Sequence, residues 1–439
     1  MLKASKLALV ASISASLIST LTFAEEKNNS NSFLTDAEGS VLLRTGFLHR
    51  DKKAPGVNDT SSAAQTAIFD LQSGFTPGVV GFGVGLVGDA SFKLGKNGHT
   101  GNQMIPTHDK NNADGTKDAY DHWARGGANV KARISNTTVT YGTQVSEIPV
   151  IASNTARLTP EYFTGVSVVS NEIENLSLYA GKFTKNQWSN EISSDEQGLD
   201  SAIYWGATYK VNDQINTAYY GVDIKDKLDR HYANVNFTQT LANDATLTWD
   251  AMAYHTKWDT DASTESHTTT DLSDRNNTIW GISANYNLGV HNVMIAYQDN
   301  AGNTGYDYAF NQDGLQSIWV PNSYLSDFNG NDEKSAQIQY SYNFKNHGLA
   351  GLNWTTAFVY GWDIDVADKP SRLTLATDNA HEREFFNQVK YTVQSGALKD
   401  ASLRLRHSYL RLSEAYEHDN GIGSTNEWRI WLDIPVKLF

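Results

Sequence analysis

Read for alternation, the chain breaks into segments of about nine or ten residues in which apolar side chains occupy every second position. In 335–344, Ala336, Ile338, Tyr340, Tyr342 and Phe344 share one face, and Ser335, Gln337, Gln339, Ser341 and Asn343 share the other. The pattern recurs in 278–288, where Trp280, Ile282, Ala284, Tyr286 and Leu288 oppose Ile279, Gly281, Ser283, Asn285 and Asn287. A period of two predicts strands with one apolar and one polar face. A soluble sandwich turns the apolar face to its core, whereas a transmembrane barrel turns it to lipid and keeps water inside. Asn and Ser filling the second face favour the wet lumen. In 290–298 and 352–362 the apolar face carries Tyr or Trp near a segment end, which suits a membrane interface and ordinary strand propensity alike.

The connections fall into two kinds: short turns such as 211–214, and long polar stretches such as 97–120 and 259–277. Short turns at one rim and long loops at the other are the barrel asymmetry. At about 23 residues per strand with its share of connection, a chain of this size holds roughly 18 strands, enough to leave an aqueous passage. In 429–439, Ile430, Leu432, Ile434, Val436 and Leu438 form an apolar face, as final strands of outer-membrane barrels do. Phe439 falls in phase with Arg429, Asp433 and Lys437 instead, and is expected past a bulge.

The N-terminus adds an address. Lys3 and Lys6 precede a small-apolar run from Leu7 to Leu21, then Thr22, Phe23 and Ala24, the pattern of a cleaved export signal cut after Ala24. The run is shorter than the roughly 20 residues a spanning helix needs. Residues 1–24 are therefore expected to be removed, 25–37 to be flexible with 28–36 disordered, and 38–439 to form the barrel. Composition agrees: 21 Tyr, 17 Phe, 11 Trp and 33 Gly suit strands and tight turns, and with no Cys there is neither a disulfide framework nor a lipidated cysteine. The formal charge of −14 becomes −16 once Lys3 and Lys6 are removed, which argues against a nucleic-acid partner. Past the signal no apolar stretch of about 18 residues exists, so a spanning chain must close as a barrel.

Basic residues sit on the polar face of several strands. Arg44 and Arg50 oppose Val41, Leu43 and Phe47; Arg404 and Arg406 alternate with Leu403 and Leu405; Arg429 opposes Ile430. Because a barrel pairs its last strand with its first, Arg44, Arg429, then Arg404 and Arg406, then Lys390 fall on successive neighbours. Lys93, Lys131 and Arg133 alternate likewise, elsewhere on the circumference. Guanidinium groups hold carboxylates through paired charge-assisted hydrogen bonds, and a stripe of them offers an anion successive resting places without a deep trap. The alternative is counter-charge for acidic groups on loops folded into the pore. Gly81, Gly83 and Gly85 on one inward face read as room for an inserted loop.

Ordered matches then resemble the OprD-type outer-membrane carboxylate channels of Gram-negative bacteria, over about 36–439. They are SVLLRTGFLHRD (40–51), FDLQSGFTPGVVGFGVG (69–85), KARISNTTVTYG (131–142), PVIASNTARLTPEYFTG (149–165), SDFNGNDEKS (326–335), QSGALKDASLRLRHSYLR (394–411) and NEWRIWLDIPV (426–436). The resemblance implies an eighteen-stranded barrel, monomeric with a weak trimer left open, whose third and seventh extracellular loops narrow the pore. By it, 149–160 is the third loop, with Pro149, Ser153, Asn154 and Arg157 at the constriction. Arg404, Arg406, Arg429, Arg44 and Lys390 match the basic ladder. Loop 306–329 is the seventh, with Asp327, Ser323 and Tyr324 facing the arginines and accepting a substrate's amino group. The implied solutes are small carboxylates: amino acids, organic acids and, as a further candidate, carbapenem-type antibiotics. Outer-membrane lipid and lipopolysaccharide are the implied surroundings, and no cofactor or metal is expected.

Three other readings stay open, one of them an adhesin or structural barrel without a pore, which predicts no ion conductance in a planar bilayer. A non-selective porin differs only in indifference to charge. A barrel enzyme, such as a phospholipase or protease, needs a hydroxyl–histidine pair at the rim, for which His407 and His418 near Ser408 and Ser413 are the candidates. A G-x-S-x-G or H-E-x-x-H motif is lacking, and 381–384 (His-Glu-Arg-Glu) reads as a solvated loop.

Overall fold

The alternating segments become strands. The computed structural model describes residues 33–95, 102–111, 117–195, 198–259, 275–306, 308, 317–366, 380–417 and 422–439. The strands are β1 (Glu38–Lys52), β2 (Thr60–Gln72), β3 (Val80–Lys93), β4 (Thr107–Asn111), β5 (Lys117–Ala119), β6 (His122–Ile134) and β7 (Thr137–Gln144). There follow β8 (Tyr162–Ile173), β9 (Leu176–Gln187), β10 (Ala202–Lys210), β11 (Ile215–Ile224), β12 (Leu228–Thr240), β13 (Thr246–Trp258) and β14 (Asn276–Leu288). The last are β15 (His291–Gly302), β16 (Lys334–Asn343), β17 (Leu352–Trp362), β18 (Glu382–Thr392), β19 (Ser402–Leu412) and β20 (Thr425–Lys437). All but β4 and β5 form one antiparallel 18-stranded sheet, and β4 and β5 make a small hairpin between β3 and β6. The sheet closes on itself because β20 pairs with β1, from Lys52 opposite Thr425 to Ser40 opposite Lys437.

The two faces divide as the alternation requires. Outward lie Ile282, Ile295, Ile338, Val389, Leu405, Ile430 and Leu432, an aliphatic band whose exposure only a lipid surround makes favourable. Aromatic side chains ring it: Trp205, Trp280, Tyr360, Tyr409 and Trp428 toward the long-loop rim, and Tyr209, Trp249, Tyr286 and Tyr391 toward the other. The core is therefore inside the barrel, under the long loops. One cluster gathers Leu48, Ala64, Trp123 and Trp431 of the wall around Met104 and Ile105 of the β3–β6 connection and Leu158 of the β7–β8 connection.

Three expectations are corrected. The β20–β1 register runs without a bulge, and Phe439 instead lays its ring over Gly39, where an added Cβ would come within 2.6 Å. Gly81, Gly83 and Gly85 make room for the β2–β3 turn rather than for an inserted loop: Cβ atoms there would meet Phe75 at 2.9 Å, the Gly74 carbonyl at 3.0 Å and Gln72 Oε1 at 2.2 Å. Of the segment expected to be disordered, 33–36 form a turn, and the Phe33 carbonyl accepts the Gly74 N–H at 3.0 Å. The export signal lies outside the described residues.

Candidate functional site

The strand registers assemble a basic wall. Lys390 on β18 stands directly opposite Arg404 on β19, and Arg406 stands directly opposite Arg429 on β20. Arg44 on β1 stands opposite Asp433 of β20 and makes a two-pronged ion pair with it, at 2.7 and 3.1 Å. Arg50 pairs with Glu427 at 2.7 Å, and Glu427 also binds Arg429. Two of the five ladder cations thus carry acidic partners on the wall itself. Arg404, Arg406 and Lys390 have no ion pair among the described residues. Arg406 lies 5.0 Å from the centre of the Phe386 ring, a face-on cation contact.

The β7–β8 connection, 145–161, folds inward as the third long loop. Arg44 donates to the carbonyls of Arg157 and Leu158 at 3.4 and 3.3 Å, and Arg429 to that of Ala156 at 3.1 Å, so the wall holds the loop by its backbone. Pro149, Ser153 and Asn154 shape the loop rather than face the passage. The Ser153 hydroxyl accepts the Ser146 N–H at 2.9 Å, Asn154 Oδ1 accepts the Ala156 N–H at 2.8 Å, and the Pro149 carbonyl accepts the Tyr254 hydroxyl at 3.1 Å. Arg157 brings charge: it reaches Gln103 Oε1 at 3.1 Å and lies within electrostatic range of Arg429, Arg50, Glu427 and Asp327.

The described residues of the β15–β16 connection, 303–306, 308 and 317–333, fold inward as the seventh. Asp327 brings charge, held by the hydroxyls of Ser323 and Tyr308, one on each carboxylate oxygen. Burial pushes the Asp327 carboxyl above its ordinary range, opposed by those hydroxyls and by Arg157 and Arg429. Tyr324 is placed otherwise than expected. Its ring stacks on Phe386 at 4.3 Å and its hydroxyl is taken up by Gln339 and Gln337 of β16, so it packs the loop to the wall and leaves the hydroxyl-bearing role to Tyr308.

Reasoning along the chain missed what fixes these loops. Arg125 of β6 and Asp89 of β3, both fully buried, pair at 2.9 Å; Arg125 also donates to the Thr159 hydroxyl at 2.8 Å and the Pro160 carbonyl at 2.6 Å, and Tyr162 donates to Asp89 at 3.0 Å. A charged residue at inward parity, Asp89 in β3 and Arg125 in β6, was the available signal, but the two lie 36 residues apart. Tyr254 of β13 ties both loops, donating to Pro149 of the third while accepting the Trp319 N–H of the seventh at 3.2 Å. Residues 382 and 384, expected in a solvated loop, lie in β18 with fully buried carboxyls that hold the seventh loop.

The enzyme candidates separate. His407 points outward and packs on Trp428 at 4.2 Å, while Ser408 points inward and is buried, so adjacent strand residues on opposite faces make no pair. His418 lies outside the described residues. A lipid-facing barrel with a charged lumen narrowed by two inward loops defines an outer-membrane channel.

Comparisons with known proteins agree. Residues 31–438 match the family described as outer membrane porin, OprD family. Porin D of Pseudomonas aeruginosa is 32% identical over 437 residues, covering 95% of this chain and 94% of that protein. The crystal structure of Acinetobacter baumannii OccAB1 shares 59% identity with a TM-score of 0.88, covering 95% of this chain and all of that one. The structure of Pseudomonas aeruginosa OpdK with vanillate shares 26% identity with a TM-score of 0.79, covering 92% and 100%. The chain belongs to the OprD family of outer-membrane porins, and family and fold point to a channel rather than an enzyme.

Proposed function

We propose that this porin is selective for small carboxylate-bearing solutes, amino acids and organic acids among them, which descend a ladder formed by Arg404, Arg406, Arg429, Arg44 and Lys390. The observation that carries the reading is the pair of like-charge juxtapositions, Lys390 opposite Arg404 and Arg406 opposite Arg429. Cations directly opposed across a ladder weaken a sheet, so folding alone gives no reason to keep them. An anion between them gains from both sides. OpdK, similar along its whole length, was solved with vanillate, itself a carboxylate.

On this reading a carboxylate leaves bulk water for the guanidiniums of Arg404 and Arg406, which have no ion pair among the described residues and replace its hydration by paired N–H donors. On the same reading Asp327, held by the Ser323 and Tyr308 hydroxyls and within electrostatic range of Arg157 and Arg429, supplies the carboxylate that suits an ammonium or hydroxyl at the other end of the solute. The pairing of Arg44 with Asp433 and of Arg429 with Glu427 favours a second reading, in which the wall is counter-charge and the channel a general porin. Liposome swelling with amino acids, simple carboxylic acids and neutral sugars of matched size decides between them. Faster swelling with carboxylates is expected; equal rates would leave the general porin.

A further inference from the structure

Behind the seventh loop three glutamates are fully buried: Glu333 at the end of the loop, and Glu382 and Glu384 on β18. Glu384 is satisfied, accepting the Leu325 N–H at 3.1 and 3.0 Å and the Ser326 N–H at 3.0 Å. The other two are not. Glu333 Oε2 accepts the Gly330 N–H at 2.8 Å and Glu382 Oε1 the Ser326 hydroxyl at 2.9 Å, but Glu333 Oε1 and Glu382 Oε2 have no donor among the described residues. The two carboxyls lie within hydrogen-bonding reach of each other.

The sheet is built to bring them together. Glu382 stands opposite Gly361 of β17, and Gly361 opposite Ser335 of β16, two residues beyond Glu333. A Cβ at Gly361 would fall 2.0 Å from Glu333 Oε1, so only a glycine leaves room for that carboxyl. Two facing acceptor oxygens out of water are costly, and more so if both groups are ionised. One proton between them answers both. Burial pushes the Glu333 carboxyl above its ordinary range, with hydrogen bonds from Gly330 and from the Glu382 carboxyl pulling the other way.

Among the described residues the surrounding charged and titratable groups supply no cation to the pair. They are Glu384, and through it Arg406 of β19 and Tyr324 of the loop; Tyr416 of the short helix Glu414–Glu417, whose hydroxyl lies 3.0 Å from where a Gly330 Cβ would be; and Asp332, with Lys334, Asp365 and Asp299 around it. No group of three or more His, Cys, Asp or Glu among the described residues is arranged to hold a metal ion.

We propose that Glu333 and Glu382 form a buried proton-binding site that latches the inward seventh loop to the barrel wall, and that loss of the shared proton frees the loop and widens the passage. The sign follows from linkage. A released Glu333 regains its ordinary value of 4.5, so docking is fully favoured below that pH; the pair keeps one proton after the first is lost, and the latch weakens only once rising pH removes that last one. Conductance as a readout rests on the passage proposed above; loop protection does not.

The test measures hydrogen–deuterium exchange over 317–333, normalised to β16 and β17 strand peptides, beside single-channel conductance of the refolded full chain from about pH 5 to about pH 10. Protection of the loop is expected to fall, and conductance to rise, only on the alkaline side, well above the ordinary carboxylate range. Glu333→Gln, which supplies a donor without titrating, keeps the loop protected and flattens both curves; Glu333→Ala lowers protection even at acid pH. A flat wild-type exchange profile, or a Glu333→Gln variant that titrates like the wild type, overturns the latch. So does a pH response abolished by a chelator, which makes the occupant a metal ion. Titrating exchange with flat conductance upholds the latch and counts against the passage.

Discussion

Lys390 faces Arg404 across the β18–β19 ladder, cation to cation, with no ion pair to either among the described residues. Directly opposed like charges cost a sheet roughly 0.2–1 kcal/mol. Lys390→Gln is therefore expected to leave the barrel as stable as before or more so, by up to about that amount, while slowing carboxylate uptake. Thermal unfolding in detergent and liposome swelling check the two halves. A clear loss of stability would show that the pair serves the fold.

Replacing Arg404 and Arg406 together with glutamine should lower carboxylate flux more than the flux of neutral solutes of the same size. The difference should shrink with added salt, because charges in a water-filled lumen are screened beyond about 8 Å at physiological ionic strength. Equal loss for charged and neutral solutes would leave the arginines a steric role only.

Arg125→Met strips Asp89 of its buried partner and frees Thr159 and Pro160 of the third loop. Breaking a buried pair from one side costs about 3–5 kcal/mol, so the variant is expected to unfold at markedly lower temperature. The double variant Arg125→Met with Asp89→Leu should recover much of that stability, but not the loop's position, which conductance reads.

Tyr254→Phe removes a hydroxyl bonded to both inward loops, leaving the Pro149 carbonyl and Trp319 N–H without it. Each lost hydrogen bond is worth about 0.5–1.5 kcal/mol. Single-channel records should show larger fluctuations in open conductance with little change in strand content by circular dichroism. Quiet, wild-type records would mean that other contacts hold the loops together.

Asp327 titrates above the ordinary aspartate value of 3.8 because it is buried, so it gains its proton earlier as pH falls. Protonation leaves Arg157 and Arg429 less opposed. Anion preference, measured by reversal potential, is expected to rise as pH drops toward the acid range, and Asp327→Asn should show the raised preference at every pH.

The barrel was legible because a lipid-facing strand must alternate. The faces of 335–344 and 278–288 carried the period, and a chain with no long apolar helix but many such segments can only close on itself. Parity also gave the inward arginines, and closure alone put the strand of Arg44 beside that of Arg429. What parity cannot give is depth along the strand, or the contact of a loop with a distant wall. Tyr324, Ser323 and Asp327 lie within five residues of one another, yet Tyr324 packs on the wall at Phe386 while Ser323 and Tyr308 share Asp327.

The sequence by itself determined the strand period, the inward and outward faces and the order of the basic residues around the wall, because these follow from local sterics and from exclusion of polar groups from lipid. Only the tertiary structure decided which charges are paired and which are bare, and which hydroxyl meets Asp327. It also made residues 382 and 384 anchors instead of surface. Those outcomes depend on contacts between segments tens to hundreds of residues apart, brought together by closure and register, and no pattern along one strand encodes them.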